Sequence, residues 1–184
     1  QLFYACDVGM HKASVLVHRI NLTFGTDWNA DPIRLEDISQ IGYEPRLVIG
    51  CVDNRQARAV MSKWFRQGHI PFAYWLDFGN KVDSGQVILG YSERGKVVIP
   101  SSAELFPEII DPTVQDPDEG PSCSLAEALE RQALFVNRTV ATHGMNLLWE
   151  LLHHGQVDHH GAFVHLRNGR VTPLAVDREG WARM

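Results

Sequence analysis

Cysteine is too scarce in this sequence to staple a fold. The three present, Cys6, Cys51 and Cys123, cannot all pair, and none forms a Cys-x-x-Cys. That argues against a disulfide scaffold and for a reducing, cytoplasmic compartment. Long apolar runs are also missing. No stretch approaches the roughly 20 residues that span a bilayer, and no secretory signal is visible. Positive charge is not in excess either. A net charge of −5 disfavours a nucleic-acid or anionic-membrane surface, since both draw on a basic face. Internal repeats and low-complexity blocks are absent. The chain opens on Gln1 without an initiator methionine, so a fragment or processed product with an upstream part is expected.

What remains is ordinary globular chemistry. A chain of 184 residues, 45% hydrophobic and 21% charged, suffices for one well-packed domain, or one domain with an appendage. In DVGMHKASVLVHRINLTF, residues 7–24, apolar positions Ala13, Leu16, Val17, Ile20 and Phe24 fall at helical spacing. Asp7 or Gly9 is the expected entry and Gly25 the stop. Thr26 to Glu44 is mixed and reads as a short strand with a polar turn or helix. Leu47 to Cys51 is apolar on both faces, as buried parallel strands are. Asn54 to Gln67 returns to helical period through Ala57, Val60, Met61 and Trp64, with Gly68 as its cap. Phe72 to Leu76 is the next strand, and strand, helix, strand makes a βαβ unit.

The pattern then turns antiparallel. GQVILGY, SERG and KVVIP read as a hairpin across a Gly-containing turn. Residues 107–122, rich in Pro, Asp and Glu, read as a mobile loop. Ser124 with Glu127 matches a capping box. A long helix follows to about His154, bent near Gly144 and ended by Gly155. Asn168-Gly169 between two strand-like runs is the strongest hairpin signal in the chain.

The stretch LVIGCVDNRQAR, residues 47–58, carries the first functional clue. Asp53 falls just past the carboxyl end of a parallel strand, where open α/β sheets bind ligands. A carboxylate there can hold Mg²⁺, which would bridge phosphate oxygens. Aspartate is equally a preferred N-cap, so Asp53 also reads as the start of the helix. Arg55 and Arg58 project from that helix's first turn toward phosphates or a partner's carboxylate. Lys12, near the start of the first helix, adds an ammonium where amide dipoles already favour an anion, although a lysine there is commonly just solvated.

Taken in order, the segments QLF, DVGMHKA, RINLTFG, LVIGCVDNRQAR, a second strand and GQV resemble the ThiF/MoeB/HesA adenylyltransferases, relatives of the ubiquitin-activating enzymes. DFGN, SGQVILG and SCSLAEALERQALFVN most resemble the ThiF-like proteins of the PRTRC cassette of bacterial plasmids and other mobile elements. The resemblance spans nearly the whole chain. It implies a single α/β domain over residues 1–184, with a Rossmann-like sheet whose parallel strands continue into antiparallel hairpins. The nucleotide-loop portion would lie upstream of Gln1. It also implies Mg²⁺–ATP-dependent adenylation of the C-terminal carboxylate of a small ubiquitin-like or sulfur-carrier protein, and a homodimer.

Position by position, the resemblance makes Gln1 and Lys12 nucleotide contacts, Asp53 the Mg²⁺-linked aspartate, Asn54 its neighbour, and Arg58 the arginine five residues on. Lys12 and Asp53 are expected to converge on one triphosphate. Cys123 takes the place of a cysteine that accepts the activated carrier in ThiF-type relatives; an ordinary semi-exposed cysteine is the alternative. The family's Gly-rich loop and ribose-binding acid do not occur after Gln1, Val52 replaces the usual threonine, and the paired Cys-x-x-Cys zinc motifs are absent, so no structural zinc is expected. These residues alone are expected to be insufficient for turnover. Two rivals stand beside this reading: a non-catalytic partner-binding member of such a cassette, and a dinucleotide-dependent oxidoreductase on a similar sheet.

Other features read as structure. His153, His154, His159 and His160 lack a regular ligand spacing and suit a helix end and turn. Trp64, Phe65, Phe72, Tyr74, Trp75 and Trp149 sit at helix or strand periods and read as core rather than a base-stacking platform. Cys6 and Cys51 read as local or core packing. Asn80 and Gln86 border a groove for a partner's tail, or else Gly79-Asn80 is simply a turn.

Overall fold

The computed structural model describes residues 3–37, 44–114 and 133–181. The chain divides into two compact units, Gln1–Gly42 and Tyr43–Met184. The first unit holds a 3₁₀ turn, Ala5–Asp7, and helix α1, Lys12–Phe24. Gly25 closes α1 in the left-handed conformation at φ 64°, as expected from its position. The entry differs: His11 is the N-cap, because Asp7 is held elsewhere. Its carboxylate accepts two hydrogen bonds from Arg19, at 2.9 and 2.8 Å, and the Tyr4 backbone N–H, with Arg19, holds it below the usual carboxylate range. The apolar stripe of α1 is not a buried seam, since Val15 is its buried residue and Phe24 is exposed. Residues 26–37 form no strand or helix.

The second unit is an α/β layer structure. Its strands are β1 (Leu47–Gly50), β2 (Phe72–Asn80), β3 (Ser84–Glu93), β4 (Lys96–Ile99), β5 (His159–His165) and β6 (Arg170–Ala175). Its helices are α2 (Arg55–Phe65), α3 (Ser102–Leu105), α4 (Val136–His154) and α5 (Arg178–Trp181). The six-stranded sheet runs β1-β2-β3-β5-β6, with β4 on β3. The β1–β2 pair is parallel and every other pair antiparallel. The expected change from parallel to antiparallel therefore falls at β2–β3.

Strand alternation assigns the two faces. From β2, Leu76 joins Val87, Leu89, Ala162 and Val164 under α4, which contributes Val136, Val140, Leu147 and Leu148. On the opposite face Trp75 meets Phe65 of α2, ring centroids 6.1 Å apart. Each aliphatic side chain buried this way is worth roughly 1.5–3 kcal/mol, so these two layers hold the unit together. α4 runs unbroken through Gly144, where a Cβ would meet the Phe78 ring at 2.2 Å. That glycine serves close packing on β2.

Several boundaries moved. Arg66, not Gly68, closes α2. Residues Pro107–Ile110 form a 3₁₀ turn rather than loop, while the Ser124–Glu127 capping box lies outside the described residues. Asn80 ends β2, and the turn follows it, with Lys81 N–H donating to the Ser84 carbonyl. Both hairpin turns are as expected, with left-handed residues at Arg94, Gly95 and Gly169. No helix among the described residues is long and apolar enough to cross a membrane.

Candidate functional site

The end of β1 is shaped by Gly50. A Cβ there would stand 2.9 Å from the Asp77 carboxylate and 3.0 Å from the Trp75 indole nitrogen. Only glycine permits that approach. The chain then passes Cys51 and Val52 to Asp53, and Asn54 starts α2. Asn54 has extended backbone and its Oδ1 accepts the Ala57 N–H at 2.8 Å. It is the cap, so the cap reading of Asp53 is corrected. The Asp53 carboxylate is exposed and, among the described residues, meets only the Asn54 amide, at 3.4 Å. Asn54→Ala should cost about 1 kcal/mol of stability while Asn54→Asp retains it, as urea denaturation would measure.

Arg58 lies one turn into α2 and points inward. Its Nε is 3.4 and 3.3 Å from the two Asp77 carboxylate oxygens, and its guanidinium also donates to the Phe78 carbonyl at 3.1 Å. Burial pushes the Asp77 carboxyl above its ordinary value, while Arg58 and the nearby Ser102 hydroxyl pull it back. Among the described residues, the Ser102 Oγ and the Trp75 indole N–H find no hydrogen-bond partner at close geometry. Arg55 donates to the Glu108 carbonyl at 3.0 Å, so the Pro107–Ile110 turn is tied to the start of α2.

The arrangement thus offers one exposed carboxylate beside the first turn of a helix, on a base clamped by a buried ion pair. Mg²⁺ is usually held by one or two carboxylates together with substrate phosphates. A single exposed Asp53 suits a metal that arrives with a nucleotide, not a metal caged by protein alone. No group of three His, Cys, Asp or Glu among the described residues is placed to hold a metal.

The remaining expected site residues fall in different places. Lys12 is the first residue of α1, exposed, in the first unit; Gln1 and Cys123 lie outside the described residues. Asn80 donates to Asn137 of α4 at 2.5 Å, and Gln86 packs against Gly79. The histidines are dispersed in role. His160 is buried with Nδ1 3.1 Å from the Leu89 carbonyl, His154 meets Glu150 at 3.4 Å, and His153 stacks on Trp149. Cys6 and Cys51 are exposed rather than core. Desolvation around its sulfur, with the Asp77 charge nearby, pushes the Cys51 thiol up, the opposite of what a nucleophile needs. A cavity of about 380 Å³ lies between the end of α4 and the start of β5. No residue of the β1–α2 connection lines it.

Sequence reasoning missed Asp77. Its signal was present: one acid inside the apolar run FAYWLDF must find a cation if that strand is buried. The chain matches no protein-family model and no curated protein sequence.

Proposed function

We propose that this chain belongs to a ThiF-type adenylating domain. It activates the C-terminal carboxylate of a small ubiquitin-like or sulfur-carrier protein with Mg²⁺–ATP. The observation that carries this reading is the position of Asp53. It stands beyond the carboxyl end of a parallel strand, exposed, with the capping role taken by Asn54. The order of the ThiF-like segments supports the same assignment.

In this reaction a carboxylate oxygen attacks the α-phosphorus and pyrophosphate leaves, so no nucleophilic side chain is required. Catalysis is then positioning and charge neutralisation. Asp53 would hold Mg²⁺, which supplies positive charge to the phosphate oxygens. By the resemblance, Lys12 and Gln1 would contact the nucleotide, and Cys123 would receive the activated carrier. Arg58 is a positioning residue: through Asp77 and the Phe78 carbonyl it fixes where α2 begins, and hence where Asp53 stands.

The test is ATP–pyrophosphate exchange with the full-length protein and its cassette partner. Partner-dependent exchange is expected; an inert protein that still captures the partner favours the second reading. That second reading, a non-catalytic partner-binding member, is favoured by the same ion pair, because an arginine committed to Asp77 is withdrawn from phosphates.

A further inference from the structure

β5 loses step with both of its neighbours at His160. The β3–β5 ladder ends at Ile88–Gly161, and the β5–β6 register shifts between His159 and Gly161. An irregularity of this kind re-aims a side chain, and here the imidazole is fully buried. Its Nδ1 lies 3.1 Å from the carbonyl of Leu89, the next residue along β3 after that ladder stops. A carbonyl can only accept, so Nδ1 carries the hydrogen and Nε2 is the bare nitrogen. Among the described residues Nε2 has no hydrogen-bond partner. The Trp181 ring of α5 stands against the imidazole edge to face, centroids 4.9 Å apart and planes at 82°.

α5 spans only four residues. The hydrogen bonds described for it stay within its own segment: the Gly180 and Trp181 N–H groups both donate to Asp177, at 2.8 and 3.1 Å. It is the Trp181 ring that reaches the sheet. We propose that α5 is a proton-released latch, closed over His160 while the imidazole is neutral and lifted away when Nε2 takes a proton.

Protonation would create a buried N–H donor carrying charge, with neither acceptor nor water. A cation–π contact with the indole returns less than desolvating an unpaired charge costs. The surrounding groups do not compensate. His159, beside it on β5, is of like sign when charged. Ile88 and Leu89 of β3 and Leu174 of β6 carry no charge. On the α5 side, Asp177 is engaged by the Gly180 N–H and Glu179 is exposed. Burial accordingly pushes His160 below the ordinary histidine value, although the Leu89 hydrogen bond opposes this. The closed form thus binds the proton more weakly than the open one, so the latch holds above the ordinary value and weakens as pH falls below it. With Nδ1 retained by Leu89, water reaches Nε2 by displacing α5. The inference does not rest on the proposed adenylation.

NMR of the indole N–H groups in the full-length protein, from about pH 7.5 down to about 5, tests it across the histidine range. Trp181→Phe assigns the Trp181 resonance. On acidification that resonance is expected to move to the position of a water-exposed indole, with the midpoint shown by the His160 ring itself. The resonances of buried Trp64 and Trp75 should stay in place. In His160→Asn, whose amide can donate to Leu89 but cannot be protonated, the Trp181 resonance should not move. A wild-type Trp181 resonance unmoved across the range overturns the proposal. So does one whose midpoint differs from that of His160, a comparison that stands whether or not His160→Asn folds. Equal movement in His160→Asn, or movement only together with Trp64 and Trp75, as in unfolding of the whole sheet, overturns it as well.

Discussion

Replacing Arg58 with alanine is expected to destabilise the second unit by about 3–5 kcal/mol, the usual effect of stripping one partner from a buried ion pair. The Asp77 side chain is only 2% exposed, so its charge would have neither water nor a cation. The pair itself is not the source of stability, because desolvating both ions offsets most of their attraction. Arg58→Met with Asp77→Leu should therefore recover most of the loss. The pH dependence has a definite sign. The folded state binds the Asp77 proton more tightly than the unfolded chain does, since burial raises that carboxyl. Its contribution is thus favourable below the ordinary carboxylate range and is lost as pH rises through the raised folded value. Without Arg58 the folded value climbs further. The deficit of Arg58→Ala should be largest near neutrality and shrink on acidification. Urea denaturation of both proteins from weakly acidic to neutral pH measures this; a deficit independent of pH would mean that Asp77 is not the group left stranded.

The ion pair also illustrates what the sequence could and could not convey. The βαβ unit was legible because its signals are local: an apolar run, a helical period from Ala57 to Trp64, and a second apolar run. The hairpin turns were legible for the same reason. Arg58 was visible as a charged residue of the helix, but its pairing with Asp77 was not, because that partner lies nineteen residues away on β2 and only the fold brings them together. Asp53 and Asn54 were both visible, yet either can cap a helix, and a shift of one residue decides which is left exposed. The tryptophans divided according to the third dimension: Trp64 and Trp75 are buried and Trp149 is not. Helical period marks a stripe as apolar without saying what covers it. Phe72, likewise placed in the core by its strand, is 42% exposed, because α4 covers the other end of that face.

Asp53→Asn separates function from structure most cleanly. The carboxylate is exposed and its only hydrogen-bonding neighbour among the described residues is the Asn54 amide at 3.4 Å, so stability should change by no more than about 0.5 kcal/mol. If the carboxylate holds the metal that neutralises the triphosphate, the variant loses charge stabilisation in the transition state. Removing one such electrostatic contact commonly costs about 10²–10³ in rate, so pyrophosphate exchange should fall by that factor while the melting temperature barely moves. Carrier binding, measured by calorimetry, should persist, because the asparagine removes a charge from the nucleotide side alone. These readouts separate the competing readings. A protein that exchanges pyrophosphate as well with asparagine as with aspartate has no use for this carboxylate as a metal ligand, and the adenylation assignment fails with it. A variant that loses stability instead would return Asp53 to the structural role that the Asn54 cap has taken from it.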